Sequence, residues 1–139
     1  ARAGRRHAQR PRIAVISLAD FEHFYAESNP TWSTTSTSWQ YKAQLDFTPS
    51  VTADCLMFAT ARYRGSSASY SPEVRMTMNW TAYGDCPLEP QDTTDVATFA
   101  SLKMLNLGAT SHHAQVDYRS ENTAATTYVS NGRLLVIRF

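Results

Sequence analysis

Strict alternation of apolar and polar side chains recurs along most of this chain, and it constrains the fold more than any motif does. In WQYKAQLDF, Trp39, Tyr41, Ala43, Leu45 and Phe47 fall on one side, and Gln40, Lys42, Gln44 and Asp46 on the other. Successive strand residues point to opposite faces, so this pattern describes a strand with one face on a core and one in water. VRMTMNW repeats it with Val74, Met76, Met78 and Trp80 inward, and HAQVDYR with Ala114, Val116 and Tyr118. Helical periodicity is nearly absent. Only in residues 96–107 do Val96, Phe99, Leu102 and Met104 also fit a short helix, and that segment reads mainly as strand.

Further strands are expected at 13–18, around Phe21 to Tyr25, at 53–64, 126–130 and 133–139, separated by Ser, Thr, Asn, Gly and Pro clusters such as SNPTWSTTSTS and YGDCPLEPQDTTD. Strands at this spacing predict an all-β chain: an antiparallel, jelly-roll-like β-sandwich of about eight strands. It is expected to fill residues 13–139 as one domain, behind an extended basic N-terminal arm of residues 1–12. At 139 residues and 42% hydrophobic content the chain has enough apolar mass for a core. Two stretches, YRGSSASYSPEVRM and YRSENTAATTYVSNGRL, echo each other as hairpins with tips pointing the same way.

The arm, ARAGRRHAQRPR, holds Arg2, Arg5, Arg6, Arg10 and Arg12 and not one carboxylate. The whole chain carries 13 Lys+Arg against 12 Asp+Glu, so without those five the remainder has eight against 12, a net of about −4. The positive charge is therefore concentrated at one end. An arm without apolar periodicity cannot offset its own ordering entropy, and a surface is expected to hold it, either its own domain or a neighbour. Three readings compete: contact with nucleic acid, a clamp on an acidic neighbouring subunit, and a solvated tail. Five arginines could neutralise several phosphates. Nucleic-acid readers add aromatic platforms or a recognition helix, and none interleaves with these arginines, so the clamp is favoured and nucleic acid is not expected as a partner.

Two strands break the one-faced rule. In residues 53–64, Cys55, Met57, Ala59 and Ala61 face one side while Leu56 and Phe58 face the other. In the last strand Leu134 and Val136 oppose Leu135, Ile137 and Phe139. A sheet of a small sandwich has one core face, so the second apolar face must be covered by a loop, by the arm or by another subunit. Tight homo-oligomerisation through Leu56, Phe58, Leu135, Ile137 and Phe139 is the expectation.

Chemistry is sought with little return. The five glycines form no phosphate loop, and GxSxG, HExxH and EF-hand patterns are missing, so no cofactor is expected and no catalysis. His112 and His113 are neighbours and would point to opposite faces, which suits residues opening a strand rather than a shared metal. His23 stands among Phe21, Phe24 and Tyr25, and His7 belongs to the arm. Asp85, Glu89, Asp92 and Asp95 crowd one turn-rich stretch that reads as a solvated acidic loop. Cys55 and Cys86 lack zinc spacing and read as free thiols, in a strand and a loop respectively. The sequon Asn79-Trp80-Thr81 falls in an expected strand and reads as chance. No run approaches the roughly 18 apolar residues of a membrane helix, and RIAVISLAD is too short and wrongly flanked for a secretory signal. Trp32, Tyr70, Tyr83 and Tyr128 sit at expected strand ends, where they either close the core or stack on sugar rings, whereas Trp39 and Trp80 are assigned to the core.

The strings STTSTSWQYKAQLDFTPS and CLMFATARYRGSSASYSPEVRM, with the closing VDYRSENTAATTYVSNGRLLVIRF, resemble small β-sandwich virion proteins and domains of tailed bacteriophages. The resemblance spans residues 13–139 and is sharpest at Tyr118, Arg119, Ser120, Glu121, Thr126, Thr127, Tyr128, Arg133, Leu134, Arg138 and Phe139. It implies a sandwich used for capsid decoration, head fibres or tail appendages rather than turnover. The expected function is a decoration (cement) protein on the capsid surface of the virion. Its partners would be the major capsid protein or other virion subunits and further copies of itself, with a trimer favoured. Two alternatives stand beside it: a tail or fibre module that binds host-surface carbohydrate through the loop aromatics, and an interior protein whose arm touches the packaged genome. The arm lies outside the resemblance, and its role rests on charge alone.

Overall fold

A computed structural model describes residues 21–87 and 95–139, with backbone alone at 85–87. The arm with its five arginines, the strand expected at 13–18, and Glu89 and Asp92 lie outside the described residues. Nine strands make up the described chain: β1 (Glu22–Ser28), β2 (Trp32–Thr34), β3 (Gln40–Phe47), β4 (Ala53–Gly65), β5 (Pro72–Met78), β6 (Thr81–Pro87), β7 (Ala97–Leu107), β8 (His112–Ser120) and β9 (Thr127–Arg138). They form two antiparallel sheets, one ordered β1-β9-β4-β7 with β2 also on β9, the other ordered β3-β8-β5-β6. The chain is an all-β jelly-roll sandwich, as the alternation predicts. Residues 97–107 are strand, not helix.

The core lies between the sheets. β4 contributes Cys55, Met57, Ala59, Ala61 and Tyr63, and β9 contributes Val129, Leu134 and Val136. Val74, Met76 and Met78 of β5 and Ala114, Val116 and Tyr118 of β8 meet them from the second sheet. Phe24 and Phe47 close one end with ring centroids 4.9 Å apart.

Five sequence expectations need correction, and three of them trace to a change of phase. In β3 the register shifts between Tyr41 and Ala43. A bulge inserts one residue and moves everything before it to the opposite face, so Tyr41 is exposed while Lys42 and Ala43 are both buried. Trp39 consequently lies half-buried on the outer surface instead of in the core. At the other end of the second sheet, Asn79 and Trp80 take φ of 49° and 69° and form the two-residue turn between β5 and β6. Left-handed values at both central positions match the twist of the flanking strands, and they swing Trp80 out to 75% exposure. The break expected between residues 130 and 133 is a second bulge, where Asn131 at φ 51° lets β9 run on unbroken. The two echoing stretches are not hairpins within a sheet, because β4 and β5, like β8 and β9, belong to different sheets. They are adjacent arches: Ser66 N–H donates to Thr126 O (2.9 Å) and Glu121 N–H to Ser71 O (3.1 Å). Cys86 also moves, from a loop to a backbone position in β6 opposite Val74.

The buried Lys42 has a specific cradle. Its Nζ donates to Ser28 Oγ at 3.0 Å and to the Pro30 carbonyl, and lies 4.3 Å from the centre of the Trp32 ring. Burial pushes its pKa down. Beneath it is Gly132, where an added Cβ would fall 2.6 Å from Lys42 Cγ. That atom is mid-chain in a side chain pinned at its far end, so it cannot step aside. Gly132→Ala is expected to destabilise the fold by about 1–3 kcal/mol, read as a lower urea midpoint, and a midpoint equal to that of the parent would contradict the cradle.

Candidate functional site

The outer face of the first sheet is the most apolar surface described. Antiparallel register aligns its outward side chains into rows that cross four strands. One row runs His23, Ile137, Leu56, Met104, and the next runs Tyr25, Leu135, Phe58, Leu102. Phe21 and Phe139 extend the band at one corner, their rings edge to face at 5.4 Å. The four adjacent strands β1, β9, β4 and β7 thus carry a continuous apolar band. All five side chains expected at a subunit contact lie in it, and the structure adds Tyr25, Leu102 and Met104, which sequence reasoning missed.

Polar pairs border the band on two sides. Asn106 Nδ2 donates to Asp54 Oδ1 at 2.9 Å beyond the first row, while Arg133 faces Glu27 at 3.8 Å beyond the second. An apolar centre with a polar rim is the anatomy of a protein interface. The band also has relief. Toward β1, Phe21, His23, Leu135, Ile137 and Phe139 line a depression of about 420 Å³. On β7, at the opposite edge, Leu102 and Met104 stand 62% and 50% exposed.

The second sheet presents a different outer surface. Asp117, 4% exposed, accepts a hydrogen bond from Arg75 Nε at 3.1 Å, and Arg119 pairs with Glu73 in the neighbouring register. Both guanidinium groups also lie on the Trp39 ring, at 4.2 and 4.4 Å from its centre. At the far end, His113 stacks on Trp80 with centroids 4.9 Å apart and bonds Asp46. Asn79 secures this turn: its Nδ2 donates to His112 Nδ1 and its Oδ1 accepts from His113 N–H, both at 2.9 Å. Between these ends Trp39, Gln40, Tyr41, Arg75, Trp80, Gln115 and Asp117 enclose a cleft of about 290 Å³.

Burial pushes the Asp117 carboxyl above its ordinary 3.8, against the hydrogen bond and charge of Arg75, which pull it down. With the folded-state value above the unfolded one, the native protein binds this proton more tightly. The resulting stabilisation is complete below pH 3.8 and is lost as pH rises through the raised value. Asp117→Asn removes that dependence. Its melting temperature is expected to fall less than the parent's over this window, and identical profiles would contradict the assignment.

The four strand-end aromatics disperse. Trp32 covers Lys42, Tyr128 lies under Arg64 (3.9 Å), and Tyr83 packs against the core. None of the four lines the cleft. Cys55 is a buried free thiol whose pKa burial raises, an unreactive environment. Among the described residues no three His, Cys, Asp or Glu converge as metal ligands, and no helix is long and apolar enough to cross a membrane.

No family model and no curated protein matches the chain. Among solved structures it is similar to Eiger TNF from S. frugiperda, with a TM-score of 0.53 and 10% identity over 86% of this chain and 92% of that one. The CBM36-1 domain of a multidomain xylanase from the hindgut metagenome of Trinervitermes trinervoides aligns with a TM-score of 0.43 and 12% identity, over 85% of this chain and 98% of that one. At such identities the likeness concerns the fold.

Proposed function

We propose that the chain is a structural virion protein whose copies associate as a trimer through the outer face of the first sheet and decorate an assembled bacteriophage head. The apolar band across β1, β9, β4 and β7 carries the oligomeric part of this reading. Its occupant in this reading is a second copy of the same chain: the exposed Leu102 and Met104 at one edge would seat in the apolar depression beside Phe21 and Phe139 at the other. A ridge-to-depression contact is heterologous, and such contacts close into rings when each copy is rotated by an equal fraction of a turn. Three copies bring Leu56, Phe58, Leu135, Ile137 and Phe139 out of water together.

The virion part rests on the resemblance of the arches and the closing strand, and on charge. A domain of net charge about −4 with Arg2, Arg5, Arg6, Arg10 and Arg12 at one end suits a clamp on an acidic protein surface. Three arms on one trimer engage neighbouring capsid subunits together, so modest contacts accumulate by avidity. No step of this role requires turnover of a substrate.

Cosedimentation of the full chain with expanded empty phage heads tests it. The chain is expected to pellet with heads, and a variant with all five arginines replaced by alanine is expected to stay in solution while remaining trimeric. Failure of the full chain to pellet would overturn the decoration reading. Binding by the five-alanine variant equal to the parent's would overturn the arm's part in it.

A further inference from the structure

We propose that the cleft on the outer face of the second sheet, bounded by Trp39, Tyr41 and Trp80 and floored by Gln115, Asp117 and Arg75, binds a neutral saccharide. This surface lies on the opposite side of the sandwich from the apolar band. It would stay open in copies that associate through that band.

The first observation is Trp80. Its φ of 69° is a conformation that bulky residues rarely adopt, at a turn position that favours glycine, asparagine or aspartate. Strain of this kind persists where the surroundings impose it, and it clusters at binding sites. Here it holds a large apolar ring 75% exposed, propped by His113. A ring kept in water at the expense of backbone strain serves the core in no way.

The second observation is the floor. Gln115 and Asp117 are 8% and 4% exposed, yet both line the cleft. Among the described residues the Gln115 amide has only a long 3.4 Å bond to Gln44. Beside it in register, Thr77 is 1% exposed and its hydroxyl has no partner among the described residues, an orphaned polar atom of the kind that buried sites avoid. These groups offer both donors and acceptors, matching hydroxyls that also do both.

Charge selects the ligand class. Arg75 and Asp117 neutralise each other at 3.1 Å, and the Trp39 ring already takes its cations from Arg75 and Arg119. Among the described residues that line the cleft, neither an anion nor a cation finds an unspent counter-charge. A sugar ring presents an apolar C–H face to the electron-rich face of an indole and hydroxyls to the amides, and about 290 Å³ lies near the lower end of small-ligand sites, roughly 300–1,000 Å³.

The full chain, labelled with ¹⁵N, is titrated with cellobiose, maltose, lactose and N,N′-diacetylchitobiose while the indole and glutamine side-chain amides are followed by NMR. At least one disaccharide is expected to shift the Trp39, Trp80 and Gln115 signals saturably, with Kd on the order of 1 mM. Trp80→Ala and Gln115→Ala should each weaken that binding at least about tenfold with the rest of the spectrum unchanged. Trp80→Ala keeps the Cβ and with it the left-handed strain, and loses only a ring that is 75% exposed, so the fold is expected to persist. Silence of all four sugars, or equal binding by Trp80→Ala, would overturn the site. Sialyllactose binding more tightly than lactose would overturn the neutral ligand class.

Discussion

Phe58→Glu is expected to turn the proposed trimer into folded monomers. Phe58 stands mid-band, opposite Leu135 on one side and Leu102 on the other. In a single copy it is 38% exposed, so a carboxylate at its end reaches water and the sandwich keeps its core. In the assembly the same carboxylate would lie between apolar side chains of two copies without a cation, at a cost of several kcal/mol in each contact. A cyclic trimer repeats that cost at three interfaces. Sedimentation velocity reads the mass, and far-ultraviolet circular dichroism checks that the strands persist. A variant that sediments like the parent would show that the band is not where the copies meet.

Met57→Ala, one residue earlier, is expected to do the reverse: leave the association surface intact and destabilise the fold by about 2–5 kcal/mol. Met57 is fully buried between the sheets, and truncation loses its transfer free energy and leaves a cavity that a pleated backbone closes poorly. Association stabilises any folded copy by mass action, so the comparison belongs in the monomeric Phe58→Glu background. There the urea midpoint should drop with little change in slope. A loss under about 1 kcal/mol would mean that β4 does not face the core as described.

This pair explains why the fold was legible. In β4, and in β9 after its bulge, neighbouring apolar residues alternate without interruption, and a period of two assigns each to a face with no knowledge of its partners. The same rule failed for Tyr41, Lys42 and Trp80, because a bulge and a two-residue turn shift the phase locally. The bulge in β3 is set by its pairing with β8, distant in sequence, whereas the turn at Asn79 and Trp80 is local. Leu56, Phe58, Leu135, Ile137 and Phe139 could be recognised singly as apolar residues on the wrong face. That they form one band with Leu102 and Met104 depends on the register of β7 against β4, which no local pattern encodes. The saccharide cleft was less legible still. Gln115 and Asp117 look like solvated outward residues, and only the fold brings them beneath Trp39, Tyr41 and Trp80. One signal was available: Asn-Trp between two alternating runs can be a turn, which would have placed Trp80 on the surface.

Whether a single sandwich is the working unit decides the rest. Native mass spectrometry of the full chain at micromolar concentration should give three times the 15.6 kDa chain mass. A sole species at 15.6 kDa would leave the greasy side of β1, β9, β4 and β7 facing water, and the assembly account would be wrong.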